Sequence, residues 1–222
     1  VGYNNWAFLE VTGSNDIDSR LANPYNYDFS KINYFYPGVS ASIVLTEAIS
    51  SLKNSNVLSY LKVRGALSKT GNVNLGVYSL ENTYSQVNGF PYGQLLGFSA
   101  DNTLRRATYE PEFVKNAEAG IEVAFLKNRI NLEATVYQQK NTNQMITVAF
   151  SSSTGYPNAL LNAADFTNKG VEFDLKLTPL VKIKNVTIDF KINYTYQDNK
   201  VNRIIEGVDE LGIGNGNFAI VG

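Results

Sequence analysis

The chain has no cysteine and no histidine among its 222 residues. Without thiols it can form no disulfide, zinc–thiolate site or thiol nucleophile. Without imidazole it lacks the commonest general base, which excludes Ser-His-Asp and Cys-His catalysis. Only carboxylates, lysines and tyrosines are left for acid–base chemistry, so an enzymatic reading is weak. No stretch of about eighteen apolar residues occurs either, so no transmembrane helix can form. A closed β-barrel stays open as a membrane architecture, because it satisfies every backbone group in lipid. Charge is sparse, 18% of residues against roughly 25% in an average soluble domain. The net charge of −1 gives no electrostatic reason to expect nucleic acid or a strongly charged partner. Val1 opens the chain without Met, a basic n-region or an apolar h-region, so a mature or internal segment is expected.

What the chain has is strand-forming aromatics, 14 Tyr and 12 Phe, and long stretches of strict alternation. From Val186 to Tyr196, Val186, Ile188, Phe190, Ile192, Tyr194 and Tyr196 oppose Thr187, Asp189, Lys191, Asn193 and Thr195. Val171 to Thr178 repeats the pattern, with Pro179–Asn185 read as the connection between them. Period two marks a strand with one apolar and one polar face. The Val186 arm has the length of a membrane-crossing strand, about nine to eleven residues. The same criterion gives five further strands: Tyr3–Gly13, Tyr34–Thr46, Tyr60–Thr70, Asn116–Leu126 and Arg129–Lys140. Lys127-Asn128 makes a tight hairpin turn.

Between the strands, the sequence predicts connections that alternate in length. Ser14–Lys31, with Asn23-Pro24 and Asn26, reads as a long loop, and Glu47–Asn56 as a short turn or a single helical turn. Val73–Lys115 reads as a second long loop. Asn141–Asp165 reads as a third, with Met145–Phe150 as an optional extension of the preceding hairpin. Gly207–Gly222 reads as loop. Long loops at every second connection are the habit of outer-membrane barrels, with short periplasmic turns and long outer loops. Seven strands cannot close such a barrel, which takes an even number. The expected fold is therefore all-β, an antiparallel up-and-down transmembrane β-barrel segment filling residues 1–222.

Several segments carry a family resemblance. They are Leu61-Lys-Val-Arg-Gly-Ala-Leu-Ser-Lys-Thr-Gly-Asn72, Pro111-Glu112 with Glu118-Ala-Gly-Ile-Glu122, and Phe125-Leu-Lys-Asn-Arg-Ile130. Further on come Ser153-Thr-Gly-Tyr156, Asn162-Ala163 and Asn168-Lys-Gly-Val-Glu172, and upstream Val11-Thr-Gly-Ser-Asn-Asp16 and Tyr34-Phe-Tyr-Pro-Gly-Val-Ser40. In this order, across Trp6 to Val201, they resemble the C-terminal half of the barrel in SusC/RagA-type TonB-dependent outer-membrane transporters. Ala164 departs from the family's usual Gly, and Ala66 from its frequent Ser. The resemblance implies a twenty-two-stranded barrel. Its plug domain, TonB-binding segment and last strands would lie outside this sequence. It also implies a bacterial outer-membrane location, a SusD-like surface lipoprotein as lid, energy relayed by TonB, and import of a glycan or oligopeptide without any cofactor.

Candidate site residues fall into two groups. Lys62, Arg64, Glu122, Glu133, Asp174, Lys176, Asp189 and Lys191 lie on polar strand faces and would line a lumen or contact a plug; the competing reading is the solvated face of any one-sided sheet. Tyr84, Phe90, Tyr92 and Phe98, in the long loop, would face substrate or lid; the competing reading is aromatic packing of the loop on itself. Tyr194 and Tyr196, pointing outward near a strand end, suit an interfacial aromatic girdle facing outer-membrane lipid. Asn15-Asp16-Ile-Asp18 offers calcium-friendly oxygens but lacks the Gly and distal Glu of an EF-hand loop. Gly212, Gly214 and Gly216 lack the spacing and strand–helix context of a dinucleotide loop. Arg105-Arg106 reads as a solvated pair, and the two glycosylation sequons, at Asn185 and Asn193, as chance. The alternative architecture is a secreted all-β carbohydrate-binding or adhesin domain. A carboxylate-dependent glycosidase would need two acids about 5–10 Å apart, of which the sequence gives no local sign.

Overall fold

Thirteen strands are found among the residues that the computed structural model describes, which are 1–22, 27–106, 108–149, 151–205, 210–214 and 217–222. They are β1 (Gly2–Tyr3), β2 (Ala7–Ile17), β3 (Asn33–Val44), β4 (Leu58–Asn72), β5 (Tyr84–Gln86), β6 (Phe98–Ala100), β7 (Thr103–Leu104), β8 (Glu112–Phe125), β9 (Ile130–Ala149), β10 (Asn158–Ile183), β11 (Val186–Arg203), β12 (Glu210–Gly214) and β13 (Asn217–Ile220). The main sheet runs β1-β2-β3-β4-β8-β9-β10-β11, every neighbouring pair antiparallel, with β7 added beside β10. Apart from the short strands set into the long loop, spatial order follows chain order. That is an up-and-down meander.

All seven strands expected from alternation form, and the sheet is longer than the alternation shows. β10 has 26 residues and β9 has 20, so most of Asn141–Asp165 is ladder and not loop. Register shifts at Asn162/Ala164 and Ala164/Phe166 break the period there. β2 likewise runs on to Ile17, into the stretch read as loop. Pro179 sits inside β10, where a bulge between Leu177 and Val181 accommodates it, and the turn shrinks to Lys184-Asn185. The first strand is divided, because Asn4 and Asn5 turn with positive φ between β1 and β2. Glu210–Gly214 and Asn217–Ile220 pair as β12 and β13 and are not loop. Asn23-Pro24, Asn26, Phe150, Gly207 and Gly216 lie outside the described residues.

Connections differ by end. At one end are the tight turns Asn4–Trp6, Leu126–Arg129 and Lys184-Asn185, and a pair of short helices, α2 (Leu45–Ala48) and α3 (Ser50–Lys53). α1 (Phe29–Ile32) lies at the other end with the long connections. There Leu21, Ile32, Tyr34, Tyr36, Val73, Leu75, Tyr109 and Met145 pack into one buried cluster. Each such side chain buried contributes about 1.5–3 kcal/mol, so this rim is held by its own core. Tyr109, 1% exposed, donates its hydroxyl to Leu160 O at 2.9 Å and accepts from Arg106 N at 2.8 Å. Asn162 Nδ2 donates to Glu110 O and Asn143 O, both at 2.8 Å, tying the long loop to β9 and β10.

Asp18 caps the 3₁₀ turn Ser19–Leu21, accepting from Arg20 N at 2.9 Å while its carboxylate holds the Arg20 guanidinium at 2.5–3.1 Å. Arg20 Nη1 in turn reaches Leu75 O, joining the first long loop to the second. The hydrogen bond from Arg20, opposed by burial, holds Asp18 below the usual carboxylate pKa. A lowered folded-state pKa means the clasp's stability is fully present above about pH 4 and is lost as pH falls below it. Hydrogen exchange should show the Arg20 amide losing protection in that acid range. Asp18→Asn should weaken protection at neutral pH and flatten the acid step, and an unchanged profile would contradict the clasp.

Candidate functional site: a charged strip on the polar face

Register aligns side chains across the sheet. Lys62 lies opposite Glu122, and Glu122 opposite Glu133; Glu133 meets Asp174, and Lys176 meets Lys191. Four of the eight predicted polar-face residues come into direct contact. Lys62 Nζ lies 2.9 Å from Glu122 Oε1, and Arg64 Nη2 lies 2.8 Å from Glu133 Oε1. Arg64 also donates to Thr135 Oγ1 at 2.8 Å, with Glu118 and Glu122 at 3.6 and 3.7 Å. Asp174, Lys176 and Lys191 line a neighbouring hollow of about 420 Å³ with Glu122 and Glu133. Asp189 stands on the exposed edge strand β11 and has no ion pair among the described residues.

Gly120, to which the sequence pattern assigned no role, makes this cluster possible. Arg64 on β4 must cross β8 to reach Glu133 and Thr135 on β9, and the position it crosses is Gly120. A Cβ at Gly120 would sit 2.9 Å from Arg64 Nε. The signal available in the sequence was a glycine inside an otherwise regular strand, which marks a close approach. Glu118 was likewise unassigned, although it shares a face with Glu122. The Arg64 Nε hydrogen is buried and has no acceptor within hydrogen-bond distance among the described residues.

The long-loop aromatics do not assemble into one platform. Tyr84 and Phe98 are on the β5–β6 hairpin, Tyr92 bridges to Leu95, and Phe90 covers Gly97. Tyr84 and Tyr92 are 71% and 77% exposed, so the loop does not bury them. Asp18, considered for calcium, is taken by Arg20, and Arg105 is ion-paired with Asp101 and not solvated alone. On the opposite face the apolar residues are open: Val136, Leu67 and Ile192 are 53%, 60% and 46% exposed. No second sheet covers them among the described residues, unlike the sandwich alternative.

The TonB dependent receptor-like β-barrel family matches residues 10–218. The chain belongs to that family. It is 28% identical over 192 residues to TonB-dependent receptor SusC of Bacteroides thetaiotaomicron, covering 82% of this chain and 18% of that protein. It is 24% identical over 185 residues to TonB-dependent receptor P39 of Formosa agariphila, covering 83% and 17%. Its fold matches the RagAB peptide importer in the closed-closed state, with a TM-score of 0.86 and 20% identity over the whole chain and 23% of that one. The chain thus spans about a fifth of the length of these relatives. It is a SusC/RagA-type β-barrel segment of the bacterial outer membrane, and the family consists of transporters and not enzymes.

A TonB-dependent receptor barrel must turn its apolar face to lipid. Ile121→Arg, midway along the apolar face of β8, should cost roughly 2–4 kcal/mol, whereas Ser40→Arg on the polar face should cost under about 1 kcal/mol. Urea unfolding of the intact barrel in lipid vesicles would measure both, and equal costs would contradict the face assignment. Arg64→Met leaves three carboxylates facing one lysine and should destabilise by on the order of 1–3 kcal/mol, between the exposed and buried ion-pair limits. Gly120→Val should act in the same direction by crowding Arg64, and the same titration reads it.

Proposed function

We propose that this chain is the wall and outer rim of a TonB-dependent active importer, taking a glycan or oligopeptide across the outer membrane with a SusD-like surface lipoprotein. The family match over residues 10–218 is the observation that carries this reading. The relative named SusC and the structural likeness to a peptide importer agree with it. The polar face then borders the lumen. Lys62, Arg64, Glu122 and Glu133 present a paired strip that stiffens three adjacent strands, β4, β8 and β9, and Asp174, Lys176, Asp189 and Lys191 extend it toward β11. Paired charge suits a wall that a polar solute or plug slides past, because most of the charge on β4, β8 and β9 is already engaged, with Glu118 the one carboxylate in excess. The exposed Tyr84, Tyr92 and Phe98 offer rigid apolar area at low entropic cost, the chemistry that suits a sugar ring, a peptide side chain or a lid. Tyr194 and Tyr196 serve as girdle at the lipid boundary, and TonB acts through segments elsewhere in the transporter. No covalent step is required.

A secreted binding domain would have to hide its apolar sheet face, which stands open here. Uptake of labelled oligosaccharides and oligopeptides by cells carrying the intact transporter tests the proposal. Accumulation of one class should vanish without TonB. Tyr84→Ala/Tyr92→Ala/Phe98→Ala should weaken substrate or lipoprotein capture at least about tenfold, as expected when aromatic hot spots are truncated. TonB-independent accumulation would sink the import reading, and full capture by the triple variant would sink the role of the loop.

A further inference from the structure

On β4, β8, β9 and β11 the alternation continues past the apolar residues, and there lysine takes over the lipid-facing side. Register sets Lys69 opposite Lys115, Lys115 opposite Lys140, Lys140 opposite Thr167, and Thr167 opposite Lys200. Strands lie about 4.8 Å apart, so this row spans roughly 19 Å. Like charges directly opposite one another are unfavourable in a sheet. None of these lysines has an ion pair among the described residues. The row therefore calls for an anion from outside the chain.

Its position says which side of the membrane supplies that anion. The row lies toward the long loops, which in such barrels are extracellular. Lys140 is about 34 Å along β9 from Ile130 at ~3.4 Å per residue, or roughly 25 Å of depth at the usual strand tilt of ~35–45°. That is the height of an apolar band, so the ammonium groups reach headgroup level.

Beside the row is a groove. Pairing between β3 and β4 stops at Gly38 and Ser68, while β2–β3 and β4–β8 pairing both continue beyond that level. The opening has a volume of about 600 Å³, with Val11, Pro37, Val39, Leu67 and Ala117 as its apolar lining. Lys69, Lys115 and Lys140 border the same groove. Lys69 is steadied there, its Nζ 3.8 Å from the centroid of the Phe113 ring.

We propose that this groove and its three lysines bind lipid A, the phosphorylated and multiply acylated glycolipid of the outer leaflet, with an acyl chain along the apolar lining and the phosphates on Lys69, Lys115 and Lys140. An apolar slot with clustered cations at headgroup height is complementary to that lipid in both its parts. A zwitterionic lipid would leave the lysines uncompensated.

Native mass spectrometry of the delipidated intact transporter tests this, with bisphosphorylated lipid A, its dephosphorylated form and phosphatidylglycerol as probes. Bisphosphorylated lipid A should be retained over both others, and K69Q/K115Q/K140Q should lower its retention at least about tenfold. K69R/K115R/K140R should keep it. Ala117→Trp, which fills the groove and spares every lysine, should also lose it, and this variant decides the matter if the glutamine triple does not assemble. Equal retention of phosphatidylglycerol or of the dephosphorylated form, or unchanged retention by K69Q/K115Q/K140Q or by Ala117→Trp, would overturn the proposal. So would displacement of the lipid by excess inorganic phosphate, which would make this a free-phosphate site.

Discussion

Everything in this chain depends on the antiparallel ladder, which satisfies backbone N–H and C=O groups strand to strand where no water can do so. Once that ladder is imposed, side chains have only two directions. One face must meet lipid and the other an aqueous interior, and period-two alternation is the sequence's record of that division. A slip of one residue would send a whole strand's apolar set to the wrong side. The register here does not slip across the band: Ala7, Ile43, Val63, Ile121, Ala134 and Phe173 form one apolar row from β2 to β10.

The polar face is under a different constraint, since its charges lie in partly dehydrated surroundings and need partners. Arg64 resolves this with geometry more than with charge count. Its planar fork reaches across a strand that has no side chain at Gly120 and engages groups on the next one. Lysine carries the same charge without the fork, so the site depends on the pairing of a long planar cation with a gap of the right width. Tyr137 lying over Gly170 places a side chain over a glycine in the same way two strands along, with an aromatic ring in place of a guanidinium.

Where the membrane imposes alternation, the strands were legible, which is why all seven appear where Tyr60–Thr70, Arg129–Lys140 and Val186–Tyr196 and their fellows lead one to look. Above the band both faces of a strand meet water, so selection for period two lapses while the ladder continues. Asn15, Asp16, Asn141 and Asn162 therefore look like loop residues although they sit in strands. The ion pairs were half legible. Polar-face membership follows from parity, but that Lys62, Arg64, Glu122 and Glu133 meet depends on a register between segments some 60 to 70 positions apart. Local pattern carries no such information. The rim cluster around Tyr109 was illegible for the same reason, since its members come from five separate stretches of chain.

The long strands and the buried rim together set what the loops can do. Were the extracellular connections to leave the sheet at the top of the apolar band, residues 73–111 would hang from flexible stems, and any surface they offered would lose entropy on each encounter. Instead β9 and β10 continue as ladder beyond the lysine row, and Tyr109, Asn162 and Arg20 fasten the loop bases to them and to one another. The outer part, the β5–β6 hairpin with Tyr84 and Tyr92, stands outside that core. A capture surface gains from this division. Rigidity below fixes where the aromatic side chains are presented, and the exposed tip keeps the freedom to adjust to whatever is bound.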